Sequence, residues 1–482
     1  MGPWWPAIAL ILALAALYIG WSGYAASDDA AYYGAALHWV NNPPFAGHDH
    51  WATRFPLILT IAAAIHILGA GPSALLASAL LWYTILLLCV RALAKRIGGD
   101  RAGWITVILI ATMPVVIDNA TTASCDLVEA SFLVLGITLI GSAAGDDGAI
   151  WRPIGAGLCF GGAILCRETT ALALLGFAPI FLLGRPVSRR ALIIMAAACG
   201  LVLAGEAAFQ FMMTGNAFNR WVLAFNHDSH IDRAANLEGN FLLNPVIDPL
   251  LVLLVNNEFG LLFWAAGVAT AMGFQRFFLR EGRASFTILA VLAIAAFLLV
   301  GALYTKLVLN PRYFMLPAIA AAVAVGVWLG SLRRSLRAFV LAALVAVNLL
   351  MLSVGNMHPR WTPEALILAA KDHPEAHILT DPETYHRALW PLRWNGLSNA
   401  REGRAQPGAL FLAPADDLPP NAAIVQTYTA PPTALGHLLD WPAIRRVVPG
   451  GVARRLYTPS TDAVLVRIGD RGAITGARSP SP

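Results

Sequence analysis

The sequence predicts an all-α polytopic membrane protein of about eleven transmembrane helices, followed by a small C-terminal α/β unit. Three observations lead there. Hydrophobic residues make up 58% of the chain and charged residues 13%, with mean hydropathy +0.64. Nearly uncharged runs of about 15–24 residues recur from Pro3 to Val354, the length that a helix needs to cross a bilayer core. Beyond residue 356 the material changes: proline and charge rise and the long apolar runs stop. The expected division is 1–356, spanning, and 357–482, soluble.

The basic residues orient these runs. Nearly all are arginine, with only Lys95, Lys306 and Lys371 as lysines, and they cluster in short turns: Arg91 to Arg96, Arg185 to Arg190, Arg276 to Arg283 and Arg333 to Arg337. Such turns read as cytoplasmic. Membrane orientation therefore accounts for the net charge of +5, and no nucleic-acid partner is implied.

Taken in order, run 4–22 leaves the cytoplasm as an uncleaved first helix and delivers Asp28-Asp29 to the outer face. The short run 57–69 lies along the outer interface and 73–90 returns inward. Runs 103–117, 127–143, 153–166, 169–184 and 190–208 then alternate, and a polar outer loop spans 215–249. Runs 250–273, 285–304, 312–330 and 337–355 complete the set, with every arginine cluster inside. In the tail, 377–380, 409–412, 424–426 and 463–468 read as strands, 363–371 and 433–440 as helices, and the chain frays from Gly472. The cysteines, at 89, 125, 159, 166 and 199, lie in or beside apolar runs without a CxxC spacing. They indicate neither a disulfide framework nor a zinc knuckle.

This threading gathers the unusual polar residues at the outer face: Asp28, Asp29 and Arg54 in the first loop, Asp118 and Asp126 in the second, Arg167-Glu168 in the third, and Lys306, Arg312 and Tyr313 before the penultimate helix. Ionisable groups at membrane depth belong against a protein interior or a cavity. A carboxylate among separated arginines suits one chemistry: a base takes the proton of an acceptor hydroxyl while guanidinium groups stabilise a departing phosphate. Each residue also has a plainer reading. Asp29 orients the loop, Arg54 and Arg167 anchor at the interface, Glu168 neutralises Arg167, and Asp126 or Ser124 caps the helix that follows. His48-Asp49-His50 and His227 to Asp232 hold metal-ligand residue types, but i and i+2 side chains splay apart on a strand and no third partner is evident. Gly157 to Gly162 matches no nucleotide-binding loop.

The order of these motifs resembles the GT-C superfamily of glycosyltransferases that use polyprenyl-phosphate sugars, the group of protein mannosyltransferases and lipid A aminoarabinose or galacturonic acid transferases. Asp28-Asp29-Ala-Ala-Tyr-Tyr33 resembles the family's acidic pair plus tyrosine, and Arg54-Phe-Pro56-Leu its basic residue before proline and leucine. Asp126 stands where a second loop acid is usual. Pro311-Arg312-Tyr313 opens a late helix ahead of a soluble domain. Two positions depart from the pattern: Asp29 stands where many relatives have glutamate, and Arg54 with a single proline where some have lysine and two.

The resemblance implies an inverting transfer at the periplasmic side of the bacterial inner membrane, from a polyprenyl-phosphate-linked sugar donor to a hydroxyl of an envelope lipid, glycan or protein. Asp28 is implied as the principal acid, with Asp29 and Asp126 beside it. Arg54, Arg167, Lys306, Arg312, Tyr33 and Tyr313 are expected to bind the donor, with a divalent cation, Mg or Mn, as an optional bridge. A monomer among membrane lipids is expected. The competing class is a transporter or flippase, which calls for polar groups at mid-membrane depth.

Overall fold

The computed structural model describes residues 4–144, 149–227, 247–303, 310–355 and 361–469. Lys306, the Asp228 to Asp232 group and the tail from Gly472 lie outside the described residues. The chain opens with α1 (Trp5–Ile19), α2 (Asp28–Asn41), α3 (Phe55–Leu68) and α4 (Pro72–Thr112). Next come α5 (Pro114–Thr121), α6 (Cys125–Ser142), α7 (Trp151–Cys166), α8 (Thr170–Ala173) and α9 (Phe177–Leu183). Then follow α10 (Arg189–Thr214), α11 (Asn219–His227), α12 (Asp248–Val255), α13 (Leu262–Ala271), α14 (Gly282–Leu303), α15 (Met315–Ser331) and α16 (Arg334–Val354).

Six helical segments among the described residues are long and apolar enough to cross a membrane: Pro72–Thr112, Cys125–Ser142, Arg189–Thr214, Gly282–Gly301, Pro311–Ser331 and Arg334–Val354. The first is a hairpin. Gly99, at φ 85°, breaks the helix where a side chain would be strained. The two arms fold back so that the Tyr83 hydroxyl donates to the Ala111 carbonyl at 2.9 Å. The expected run 73–90 lies in the first arm; the expected run 103–117 covers the second arm to Thr112 and then, past an extended Met113, the start of α5. Helices α1, α7 and the α8–α9 stretch are shorter apolar elements.

Three expected spans are not continuous, the run 103–117 being cut at Met113. Run 169–184 is divided by a 3₁₀ turn at Leu174–Gly176. Run 250–273 breaks at Asn256, whose side chain accepts from Glu258 N at 2.8 Å, and at Gly260, which takes φ 54°. Local polar hydrogen bonding there wins over the apolar run on either side.

The main core joins α4, α6, α7, α14 and α15 through residues such as Leu93, Ile97, Leu109, Val134, Phe160, Leu289 and Val323. Helix α7 runs tightly along α10: a Cβ added to Gly157 would lie 2.2 Å from the Met195 carbonyl oxygen. A second cluster, built on Tyr32, Tyr33, Leu57, Ile58, Ile61 and Val128, packs α2 and α3 against the start of α6. The arginine-rich turns meet at the opposite end from Asp28. There Leu279 N donates to the Ile97 carbonyl at 2.8 Å and Arg101 to the Gly330 carbonyl at 3.3 Å.

From Trp361 the chain builds a mixed five-stranded sheet. Its helices are α17 (Trp361–Asp372), α18 (Pro382–Trp394), α19 (Ala434–Leu438), α20 (Pro442–Val447) and α21 (Gly450–Tyr457). Its strands are β1 (Ile378–Thr380), β2 (Ala400–Glu402), β3 (Leu410–Pro414), β4 (Ala422–Tyr428) and β5 (Ala463–Ile468), in the order β2-β1-β3-β5-β4. β1 runs parallel to both neighbours, and β5 antiparallel to both of its own. The four expected strands are present, and β2, α18, α20 and α21 are additions. Helix α18 starts at Asp381, whose carboxylate accepts from Thr384 N at 2.9 Å, with Pro382 in the first turn.

Candidate active site

The acidic pair sits where α2 begins, and its two carboxylates point to different tasks. Asp29 turns back into the protein, where it is 3% exposed. It accepts backbone N–H bonds from Ala25 and Ser27 at 2.7 Å and from Ala30 at 3.1 Å. These bonds close the turn that carries Ala26 at φ 55°. Burial pushes the Asp29 carboxyl above its ordinary value against the pull of those donors. Its geometry is that of an anchor for the loop.

Asp28 faces the other way. Its Oδ1 accepts from Trp51 Nε1 at 2.9 Å and its Oδ2 from an Arg312 terminal nitrogen at 3.0 Å. Burial opposes its ionisation, but the Arg312 and Arg54 guanidinium groups and the Trp51 bond prevail, so its carboxyl lies below the ordinary range.

Arg312 is presented by the 3₁₀ turn Pro311–Phe314, whose first turn is capped by Asn310: its side-chain oxygen accepts from Arg312 N at 3.1 Å. Arg312 Nε stands 3.9 Å from Asp126 Oδ2. Asp126 lies in the first turn of α6, which Ser124 caps, and Ser124 Oγ donates back to Asp126 at 3.0 Å. Arg167, at the end of α7, pairs with Asp126 Oδ1 at 2.6 Å and with Glu129 at 3.7 Å, and lies over the Tyr313 ring at 4.6 Å. Asp28, Arg312, Asp126, Arg167 and Glu129 thus alternate in charge from the site inward. Each buried ion has a counter-ion, as a low-dielectric setting demands.

The remaining candidates separate. Arg54 is 7% exposed; it donates to the Tyr32 hydroxyl and reaches Cys125 Sγ at 3.0 Å, so it underlies the site rather than opening onto it. The Tyr33 side chain turns from Asp28 toward α18, where its hydroxyl accepts from Trp394 Nε1 at 3.0 Å. Glu168 does not neutralise Arg167: it pairs with Arg220 at 2.7 Å. The cap on α6 belongs to Ser124, not Asp126.

Sequence reasoning left several participants without a role. Arg220 is 1% exposed and ties α11 to the first loop and α7, donating to the carbonyls of Thr53 at 2.5 Å and Leu165 at 3.0 Å. The only signal for it is an arginine set among Trp221, Val222 and Leu223. Trp51 and Glu129 gave no signal beyond their residue type. Asp118 is the third acid near Arg312. Its Oδ1 accepts from Ser22 at 3.4 Å, and burial raises its carboxyl to about 6. Glu258, in the turn Asn257–Phe259, lies within electrostatic reach of both Asp118 and Arg312.

Among the described residues, no three His, Cys, Asp or Glu side chains converge as a metal would require. His48 Nε2 lies 3.3 Å from Asp49, while His50 packs at a tilt against Trp51 with ring centroids 4.1 Å apart. Arg312 stands between Asp28 and Asp126, where a shared cation would need to bind. Among the described residues, the groups around Arg312 do not form a donor set for a metal.

Residues 54–207 match the family model for dolichyl-phosphate-mannose-protein mannosyltransferases. The fold is the GT-C fold. The crystal structure of ArnT from Cupriavidus metallidurans bound to undecaprenyl phosphate superposes with TM-score 0.56 at 13% identity, over 88% of this chain and 95% of that one. The Archaeoglobus fulgidus oligosaccharyltransferase, in complex with Zn and sulfate, gives 0.54 at 16% identity, over 82% of this chain and 62% of that one. Archaeal AglB from the same organism, with an inhibitory peptide and a dolichol-phosphate, gives 0.52 at 15% identity over 80% and 63%. Comparison by sequence with curated proteins returns no match.

Proposed function

We propose that this chain is an inverting glycosyltransferase that moves a sugar from a polyprenyl-phosphate donor to a hydroxyl of an envelope lipid, glycan or protein at the periplasmic face of the inner membrane. The observation that carries this reading is the Asp28–Arg312 pair at 3.0 Å, part-exposed in front of the buried Asp126–Arg167 pair. A base beside a phosphate-binding cation is what the reaction requires. The match at 54–207, and the undecaprenyl phosphate and dolichol-phosphate held by ArnT and AglB, support a lipid phosphate as the sugar carrier.

The acceptor oxygen attacks the anomeric carbon, the carbon–oxygen bond to phosphate breaks, and the lipid phosphate leaves with the bonding pair. A single displacement inverts the carbon. Asp28 takes the acceptor proton and Arg312 takes the phosphate charge. These two tasks are linked, because Arg312 holds down the basicity of Asp28 until a donor phosphate competes for the guanidinium. Asp29 fixes the loop, and Asp126 with Arg167 fixes Arg312. Arg54 adds positive potential behind Asp28, and Tyr313 supports Arg167. Lys306 is close in sequence to Arg312 and is a second candidate for the phosphate. We assign charge compensation to arginine rather than to Mg or Mn, take 357–482 as a soluble periplasmic unit, and treat the protein as a monomer.

The test is transfer by purified protein in nanodiscs from radiolabelled polyprenyl-phosphate sugars to an envelope extract. Asp28→Asn is expected to lower transfer by about 100-fold or more. Transfer untouched by that substitution would move the base elsewhere. Donor binding without transfer under any acceptor condition would favour lipid transport.

A further inference from the structure

Helix α18 has two working faces. Thr384, Ala388 and Leu392 recur every fourth residue and are buried, the last two in the core beneath the sheet. Trp390 and Trp394 are also four apart but half a turn around the helix, and they pack into the α2–α3 cluster instead. Tyr33 is fully buried between them. Its ring meets Trp390 edge-on with centroids 5.0 Å apart and Trp394 at 5.3 Å. Trp394 Nε1 also donates to the Tyr33 hydroxyl at 3.0 Å, across 361 residues of chain. The same indole meets Tyr24 edge-on at 5.2 Å.

Tyr24 and Tyr33 bracket the acidic pair. Between them, Asp29 binds the backbone of Ala25, Ser27 and Ala30, so the segment behaves as one closed turn. Gripping it at both ends fixes the direction of the neighbouring Asp28. We propose that α18 is a positioning element of the active site, with Trp390 and Trp394 clamping the Tyr24–Tyr33 segment so that Asp28 stays opposite Arg312. The consequence for catalysis rests on the glycosyl-transfer reading; the clamp itself does not.

The full-length protein in nanodiscs serves for both readouts. Trp394→Phe keeps a ring and removes the N–H, and Tyr33→Phe removes its acceptor. Each is expected to lower kcat about fivefold with donor KM within about twofold of wild type, and the double variant to be no worse than either alone. Hydrogen exchange over residues 24–33 reads the clamp without any activity and is expected to be about tenfold faster in both single variants. Leu392→Ala, on the opposite face of α18, loosens the sheet core and is expected to leave exchange over 24–33 at its wild-type rate. Unchanged exchange in Trp394→Phe and in a Trp390→Ala, Trp394→Ala variant would overturn the clamp, as would equal acceleration by Leu392→Ala. Faster exchange with unchanged kcat would overturn the positioning role. Faster exchange in a protein whose wild type transfers no sugar leaves the clamp standing and removes the glycosyl-transfer reading.

Discussion

Arg312 donates to Asp28 at 3.0 Å although 284 residues of chain lie between them. The same guanidinium stands 3.9 Å from Asp126. One cation thus gathers carboxylates from the starts of two helices, and its own turn is set by the Asn310 cap. Without substrate the site is neutralised internally. An anionic ligand that draws Arg312 away leaves Asp28 half-buried, ionised and without its guanidinium partner, which is the condition of a useful base.

Removing Arg312 should therefore change pH dependence as well as rate. The cations keep Asp28 below the ordinary carboxylate range while burial works to raise it. In Arg312→Ala the carboxyl rises, so the acid limb of kcat/KM moves to higher pH. Transfer at pH 7 is expected to fall about 100-fold. A limb that stays in place would take Asp28 out of the base's role.

Asp29 should behave as a structural acid. Asp29→Asn keeps one acceptor oxygen for the loop and is expected to cost about 1–2 kcal/mol, whereas Asp29→Ala orphans buried N–H groups and costs about 2–4 kcal/mol. Thermal unfolding in detergent ranks the variants. If both melt as wild type does yet lose transfer, Asp29 belongs to the chemistry and not to the turn.

Asp126 separates structure from catalysis in a second way. It is 1% exposed between two arginines, so Asp126→Ala leaves Arg167 with Glu129 alone and Arg312 with Asp28 alone, at a cost of up to about 3–5 kcal/mol. Adding Arg167→Met, which removes one of those cations, is expected to restore part of the lost melting temperature but not the transfer rate. No recovery in the double variant would mean that the two side chains are not energetically coupled.

Much of this was legible from sequence. Run length and the arginine turns prescribe the helical layout, because hydrophobic length and charge placement are one-dimensional properties. The convergence of Asp28, Asp126, Arg167 and Arg312 follows from that layout. What was not legible depends on side-chain direction. Asp28 and Asp29 are adjacent, yet one turns outward and the other into backbone N–H groups. Glu168 sits beside Arg167 and pairs with Arg220. Tyr33 lies in the acidic motif and points to α18, a short, polar, proline-bearing element that hydropathy along the chain does not mark. The break at 256–260 comes from local hydrogen bonding that hydropathy averages away.

Charge compensation by arginine makes a further expectation. The Asp28 and Asp126 carboxylates already share Arg312, and chelation removes nothing that this arrangement uses. Transfer after EDTA treatment is expected to stay within about twofold of the untreated enzyme. Loss on chelation with recovery on Mg or Mn would show that the donor brings a cation with it.

Asp118 offers a pH test of the same electrostatic frame through stability. Burial lifts its carboxyl from 3.8 to about 6 in the folded protein, against the pull of Arg312 and Ser22. The folded state therefore holds this proton more tightly than the unfolded chain does. Stability from Asp118 is fully present below pH 4 and is lost as pH rises through 6. Asp118→Asn lacks that loss. Its melting temperature is expected to exceed wild type at pH 8 by a few degrees and to converge on it near pH 4.5. A difference independent of pH would mean that Asp118 titrates as an ordinary carboxylate, and that the cations of the site reach it more strongly than its burial opposes them.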